Sequence, residues 1–149
     1  MTKSLPPKSL VLYADDDLDD LEMMRDILRP YNNFIELVSF TNGFALWSYV
    51  STWDDNHSKP CLIILDVNMP LMDGKQTLRK IRASEITKDI PVVLFTTSTM
   101  PHEAEFAKAH QAGFITKPIS TQHVSMIAEE ILAHCGDELK QRIKGNLGY

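Results

Sequence analysis

The chain has 149 residues, of which 44% are hydrophobic and 23% charged, and a formal net charge of −5. Those values predict one ordinary globular domain, and the acidic balance argues against nucleic acid or an anionic membrane as a direct partner. Two cysteines, Cys61 and Cys135, cannot make a disulfide framework and stand in no C-x-x-C arrangement, so reduced thiols and a cytoplasmic location are expected.

The opening MTKSLPPKSL has no apolar stretch of the signal-peptide kind, and no later run approaches membrane-spanning length. Neither export nor membrane insertion is therefore expected. Residues 1–8, with Pro6 and Pro7, predict a short stiff arm ahead of a domain over residues 9–135. Apolar runs at 10–14, 34–40, 61–65, 92–95 and 114–116 have the length and bounding turn residues of strands buried on both faces. Helical stripes lie between them. Leu21, Met24 and Leu28 form the first, and Leu46, Tyr49, Val50 and Trp53 the second, with Trp47 beside it. Leu78 and Ile81 mark a shorter stripe, with Asp73 in the N-cap position before Gly74. Pro101 opens a helix that runs to His110, where its missing N–H costs little. Val124, Ile127, Ala128, Ile131 and Leu132 mark the last stripe. Residues 136–149 read as a short polar tail, with no output domain.

Five strands alternating with five helices predict an α/β fold, a doubly wound parallel sheet covered on both faces. At this length the flavodoxin-like (βα)5 arrangement, strand order 2-1-3-4-5, is the leading topology. Sites in such sheets gather at the carboxyl ends of the strands where the strand order reverses, here between strands one and three. Those ends carry Asp15, Asp16 and Asp17 on one side and Asp66 on the other.

In LYADDDLDD a solvated helix start accounts for Asp17, Asp19 and Asp20, since negative charge favours a helix N-terminus. Asp15 and Asp16 directly follow buried residues beside Asp66. Three carboxylates about 5 Å apart would repel by roughly 3 kcal/mol per pair at an effective dielectric near 20. Such a cluster takes up a proton or binds a cation, and its all-oxygen donors suit Mg²⁺. A calcium loop fits poorly, because counting from Asp15 puts Asp20 at the glycine position and Asp26 at the final ligand position. Taken by itself, Asp66 could simply cap a loop. Beside a metal it becomes a candidate nucleophile for phosphoryl transfer, forming an aspartyl-phosphate. Strand four ends in VVLFTTST and strand five in FITKPI, which place Thr96 as a hydroxyl donor and Lys117 as a cationic partner.

The ordered set ADDD, LDVNMPLMDG, LFTTS and TKPI resembles the receiver domain of two-component response regulators, over residues 9–135. The resemblance implies that Asp66 accepts a phosphoryl group from a phosphohistidine on a sensor histidine kinase or histidine phosphotransfer protein. It implies that Asp16 binds Mg²⁺ directly and Asp15 largely through water, with Asp66 and the Asn68 backbone carbonyl as further ligands. It further implies that Lys117 pairs with Asp66 and its phosphate, that Thr96 moves toward the phosphate, and that Phe114 is the second switch position. Many receivers have tyrosine where this chain has Phe114, which lacks the hydroxyl; core packing is the competing role. A cis Lys117–Pro118 bond is expected on the same ground, as is an output face formed by helix 4, strand 5 and helix 5. Ser98 and Asn68 would flank the path of attacking water, and an amide at Asn68 cannot serve as a general acid or base. The chain would thus be a signalling switch or relay and not an enzyme. Two other readings remain. One is a haloacid-dehalogenase-type phosphatase with Asp15 as nucleophile and Asp17 as acid, which leaves LDVNMPLMDG unexplained. The other is a phosphorylation-independent binding scaffold. The histidines, His57, His102, His110, His123 and His134, show no metal-ligand spacing and read as surface or interface residues.

Overall fold

The computed structural model describes residues 8–54, 58–118 and 124–146. His57, His123 and all but Lys8 of the expected arm lie outside the described residues. In chain order the elements are β1 (Ser9–Ala14), α1 (Leu18–Leu28), β2 (Ile35–Phe40), α2 (Gly43–Ser51), β3 (Leu62–Leu65) and α3 (Gly74–Ala83). Then follow β4 (Val92–Thr96), α4 (Pro101–Ala109), β5 (Gly113–Thr116), α5 (Val124–Ala133) and α6 (Asp137–Asn146).

Alternation within the strands dictates the layers. In β1, Val11 and Tyr13 belong to one core and Leu12 and Ala14 to the other, and all four are fully buried. In β3, Leu62 and Ile64 divide from Ile63 and Leu65 in the same way. A strand buried on both faces needs a helical layer on each side. The apolar stripes of α1 and α5 cover the first face, and those of α2 and α3, with Ala107 of α4, cover the second. All pairings are parallel, and the strand order is β2-β1-β3-β4-β5, the flavodoxin-like order expected from the sequence. Among the described residues no helix is long and apolar enough to cross a membrane.

The sequence expectations need three corrections. Tyr49 is exposed: it lies at the edge of the α2 stripe, where its ring meets Phe40 and Trp53 at centroid distances of 5.3 and 5.4 Å. Trp53 is buried and Trp47 half-buried. No peptide bond among the described residues is cis, so the Lys117–Pro118 bond adopts the trans form, favoured by about 0.5–1 kcal/mol in X–Pro bonds. The stretch read as a polar tail contains a helix, α6, whose Leu139 and Ile143 are buried in the core beneath α1 and α5.

Backbone detail after β3 sets up the site. Asp73 caps α3 by accepting from the Gln76 N–H at 2.8 Å, and the Gln76 side chain accepts from the Asp73 N–H in return. Gly74 donates its N–H to the Val67 carbonyl at 3.0 Å, folding the loop back on itself. A Cβ at Gly74 would lie 2.2 Å from the Asp66 carbonyl oxygen, so only glycine permits this closure. Leu71, at φ 66°, turns the loop outward.

Candidate functional site

Two backbone hydrogen bonds bring the chemistry together. The Asp66 N–H donates to the Ala14 carbonyl at 2.9 Å, which sets the end of β3 beside the end of β1. The Lys117 N–H donates to the Thr96 carbonyl at 2.8 Å, which aligns the ends of β5 and β4. Asp15, Asp16, Asp66, Thr96 and Lys117 thereby share the carboxyl edge of the sheet. Asp15 is fully buried, while Asp66, Lys117 and Thr96 are nearly so; Asp16 lies exposed at the mouth.

Lys117 is the centre of the constellation. Its Nζ donates to Asp15 Oδ2 at 2.7 Å and to Asp20 Oδ2 at 2.8 Å and forms an ion pair with Asp66 Oδ1 at 3.2 Å. Burial alone would lower its pKa, but hydrogen bonds to Asp15 and Asp20 and the charge of Asp66 outweigh burial and push it up. The ammonium therefore stays charged at neutral pH. Asp66 answers to the opposite balance. Burial and the negative charge of Asp15 push its carboxyl up to about 6, against the pull of Lys117.

Asp15 is held from three sides. Oδ1 accepts from the Asp17 N–H at 3.0 Å, and Oδ2 accepts from both Lys117 and the Tyr13 phenol. Asp17 is occupied as the N-cap of α1, accepting from the N–H groups of Asp19 and Asp20. These commitments count against the phosphatase reading, which needs Asp15 free to attack and Asp17 free to protonate.

Each of Asp15, Asp16 and Asp66 offers a carboxylate oxygen within 4.8 Å of the others. Three hard, anionic oxygens at that spacing fit a small divalent cation such as Mg²⁺ or Mn²⁺. Asn68 lies exposed in the loop just beyond, where the neighbouring Val67 and Pro70 carbonyls are taken by Gly74 and Met72 N–H groups. At the end of β4 the Thr96 hydroxyl accepts from the Ser98 N–H at 3.1 Å and keeps its own proton for another acceptor. Phe114 is half-buried, packed against the core beneath α2 and α3.

The sequence reading missed two members of the site, Tyr13 and Asp20. Tyr13 is a fully buried tyrosine in a strand of aliphatic neighbours, two residues before Asp15 and hence on the same side of β1. Burial, then the hydrogen bond to Asp15, pushes its phenol well above the ordinary range, so it is a fixed donor. Asp20 stands four residues before Met24 and seven before Ile27, both buried, which places it on the inward face of α1. Those two spacings were the available signals.

Comparison with known proteins agrees with this geometry. The response regulator receiver domain model matches residues 11–129. The chain is similar to the response regulator Rcp1 of Synechocystis sp., at 33% identity over 98 residues, 64% of this chain and 66% of that protein. Other curated relatives are longer, and the chain spans only 33% or 16% of two of them. Its fold is similar to the phosphorylated cyanobacterial phytochrome response regulator RcpA, with a TM-score of 0.75 at 26% identity over 87% of this chain and 98% of that one. The Mn²⁺-bound form of Rcp1 superposes with a TM-score of 0.73 at 26% identity, covering 84% of this chain and 91% of that one.

Proposed function

This chain belongs to the response regulator receiver domain family, and from that premise we propose that Asp66 is the phosphoacceptor of a two-component signalling switch. A carboxylate oxygen of Asp66 attacks the phosphorus of a phosphohistidine on a sensor histidine kinase or histidine phosphotransfer protein. The O–P bond forms as the P–N bond breaks, and the imidazole nitrogen keeps the electron pair and takes up a proton. The observation that carries this reading is the placement of Lys117 Nζ 3.2 Å from Asp66 Oδ1, with Asp15 and Asp16 oxygens within 4.8 Å.

Each residue then has a task. Asp15, Asp16, Asp66 and the Asn68 backbone carbonyl would hold Mg²⁺. Bound there, the ion would screen the charge of an anionic phosphoryl group approaching an anionic nucleophile. Lys117 pairs with the phosphoryl oxygens. The Thr96 hydroxyl donates its free proton to one of them, drawing in the loop of Thr97, Ser98 and Thr99. Phosphorylation adds nearly two negative charges and three acceptor oxygens, so these donors gain a strong new acceptor. Phe114 follows as the second moving side chain, and α4, β5 and α5 present the change to a downstream protein. The modification shifts a pre-existing equilibrium only as far as it favours one state.

The domain is thus a cytoplasmic signalling module, and its only chemistry is on itself. The amide of Asn68 gives no acid or base for rapid hydrolysis of the acyl phosphate, which favours a signalling lifetime over turnover. Incubation with Mg²⁺ and acetyl phosphate, followed by mass spectrometry, tests the reading. A labile phosphoryl adduct is expected that Asp66→Asn abolishes and Asp17→Asn does not. An adduct on Asp15, or continuous phosphate release from unrelated monoesters, would restore the phosphatase; absence of any adduct would leave a binding scaffold.

A further inference from the structure

At the opposite edge of the sheet from the acidic site, the fold brings two nucleophiles together. The Sγ atoms of Cys61 and Cys135 lie 3.6 Å apart although 74 residues separate them in the chain. Both are free thiols. Cys61 precedes β3, and its N–H donates to the Leu10 carbonyl at 2.9 Å, which fixes it to β1. Cys135 follows the last turn of α5, its N–H donating to the Leu132 carbonyl at 3.1 Å and its Sγ lying 3.8 Å from the Ile131 carbonyl. A disulfide needs an S–S distance of about 2.05 Å. The sulfurs therefore need to approach by only roughly 1.5 Å, and each backbone is held by its own hydrogen bond.

The two sulfurs are not equivalent. Cys61 is half-buried and Cys135 is buried in the core that also holds Leu139 and Ile143 of α6. The Cys61 thiol donates to the Cys135 sulfur, and the Cys135 thiol points on to the Ile131 carbonyl, so the two sulfurs face each other in a chain of weak hydrogen bonds. An oxidant therefore reaches Cys61 first, and the sheltered Cys135 thiol sits within reach of the product.

We propose that Cys61 and Cys135 form a reversible intramolecular disulfide in response to a hydroperoxide, with Cys61 attacked first and Cys135 resolving. The Cys61 thiolate attacks the peroxide oxygen, the O–O bond breaks, and a sulfenic acid forms with release of hydroxide or alkoxide. The Cys135 sulfur then attacks the Cys61 sulfur; the S–O bond breaks, water leaves with the Cys135 proton, and the S–S bond forms. Two thiols are oxidised and one peroxide is reduced. The bond ties the start of β3, the strand that ends on Asp66, to the end of α5 and the start of α6. Because α5 belongs to the proposed output face, oxidation and phosphorylation would act on the same helix. That last step alone rests on the function proposed above.

The test uses the full chain, reduced and then treated with hydrogen peroxide without acetyl phosphate. Intact mass should fall by about 2 Da, the two hydrogens lost, and a non-reducing digest should yield the Cys61–Cys135 peptide, released again by dithiothreitol. Hydrogen exchange in α5 and α6 should slow in the oxidised protein. Cys135→Ser should stop at a sulfenic acid on Cys61 that dimedone traps, and Cys61→Ser should react about tenfold more slowly. Intermolecular dimers in place of the internal bridge would overturn the proposal. So would overoxidation of Cys61 in the wild-type chain while Cys135 remains alkylatable. Labelling of Asp66 by acetyl phosphate is measured separately, so either idea can fail without the other.

Discussion

Lys117 and Asp20 stand 97 residues apart in the chain and share a hydrogen bond of 2.8 Å at the carboxyl edge of the sheet. Asp20 belongs to the first turn of α1, yet its carboxylate reaches across to the ammonium that also holds Asp15 and Asp66. One lysine thus answers to three acids, with Asp16 nearby as a fourth. A cation entering the cluster meets more negative charge than its direct ligands alone supply. The side chain of Asp20 is 26% exposed, so water screens part of that contribution.

Asp20→Asn keeps an acceptor for Lys117 and removes the charge. Mg²⁺ affinity should fall by about three- to tenfold, which corresponds to roughly 1 kcal/mol. Asp16→Ala removes a proposed ligand and should weaken binding further. Titration calorimetry reads both variants on the same scale. An Asp20→Asn protein that binds Mg²⁺ as tightly as wild type would show that solvent screens Asp20 completely.

The elevated Asp66 carboxyl makes stability depend on pH in a stated direction. Its pKa rises from an ordinary value of 3.8 to about 6 in the fold, through burial and then the charge of Asp15. A carboxyl raised on folding contributes its full stability below the unfolded value, and that contribution is lost as pH rises through the folded one. The window is therefore pH 3.8 to about 6. Asp66→Asn removes the cost of ionising the group. In the absence of metal, the variant should be more stable than wild type by about 1–2 kcal/mol at pH 7. The two should converge below pH 4, and saturating Mg²⁺ should narrow the difference at pH 7 by stabilising the wild type. Urea melts at the two pH values check this. Lower stability of the variant at pH 7 would mean that losing the Lys117 pair outweighs the relief.

Tyr13 gives a test of the buried hydrogen bond. Tyr13→Phe keeps the ring that meets Phe95 edge-on at 6.1 Å and removes the donor to Asp15 Oδ2. Asp15 is fully buried, so water cannot replace the lost donor cheaply. The expected cost is about 1–3 kcal/mol in chemical denaturation. Acetyl phosphate should still label Asp66, because Lys117 and the Asp17 N–H continue to hold Asp15. Unchanged stability would indicate that the phenol contributes only its ring.

How far the sequence could be read depended on how many residues carried each signal. The sheet was legible because every strand combines a short apolar run with turn residues, and the five runs alternate with helical stripes. Asp15, Asp16, Asp66, Thr96 and Lys117 were legible because each lies at a strand's carboxyl end or within two residues past it, so topology alone brought them together. Tyr13 and Asp20 were masked by their neighbours, one inside an apolar strand and the other inside an acidic run that a helix start explained equally well. The helix α6 was missed for a different reason. DELKQRIKGN offers only Leu139 and Ile143 as apolar residues, a single i, i+4 pair, too thin a stripe to separate a docked helix from a polar tail.

That thin stripe gives the last prediction. Leu139 and Ile143 are 3% and 8% exposed and belong to the core beneath α1 and α5, so they supply the apolar contacts that dock α6. Leu139→Ala should cost about 2–3 kcal/mol, and Ile143→Ala somewhat less, since edge sites relax more readily than central ones. The double variant should cost less than the sum, because once one contact is lost the helix frays and the other residue is no longer fully buried. Urea denaturation measures all three, and hydrogen exchange over residues 137–146 should accelerate before the sheet unfolds. Asp66 labelling should persist in each variant, since α6 departs from Cys135, which meets Cys61 at the start of β3, while Asp66 follows its far end. Stability unaffected by either truncation would mean that α6 does not dock in solution, and that the core under α5 is complete without it.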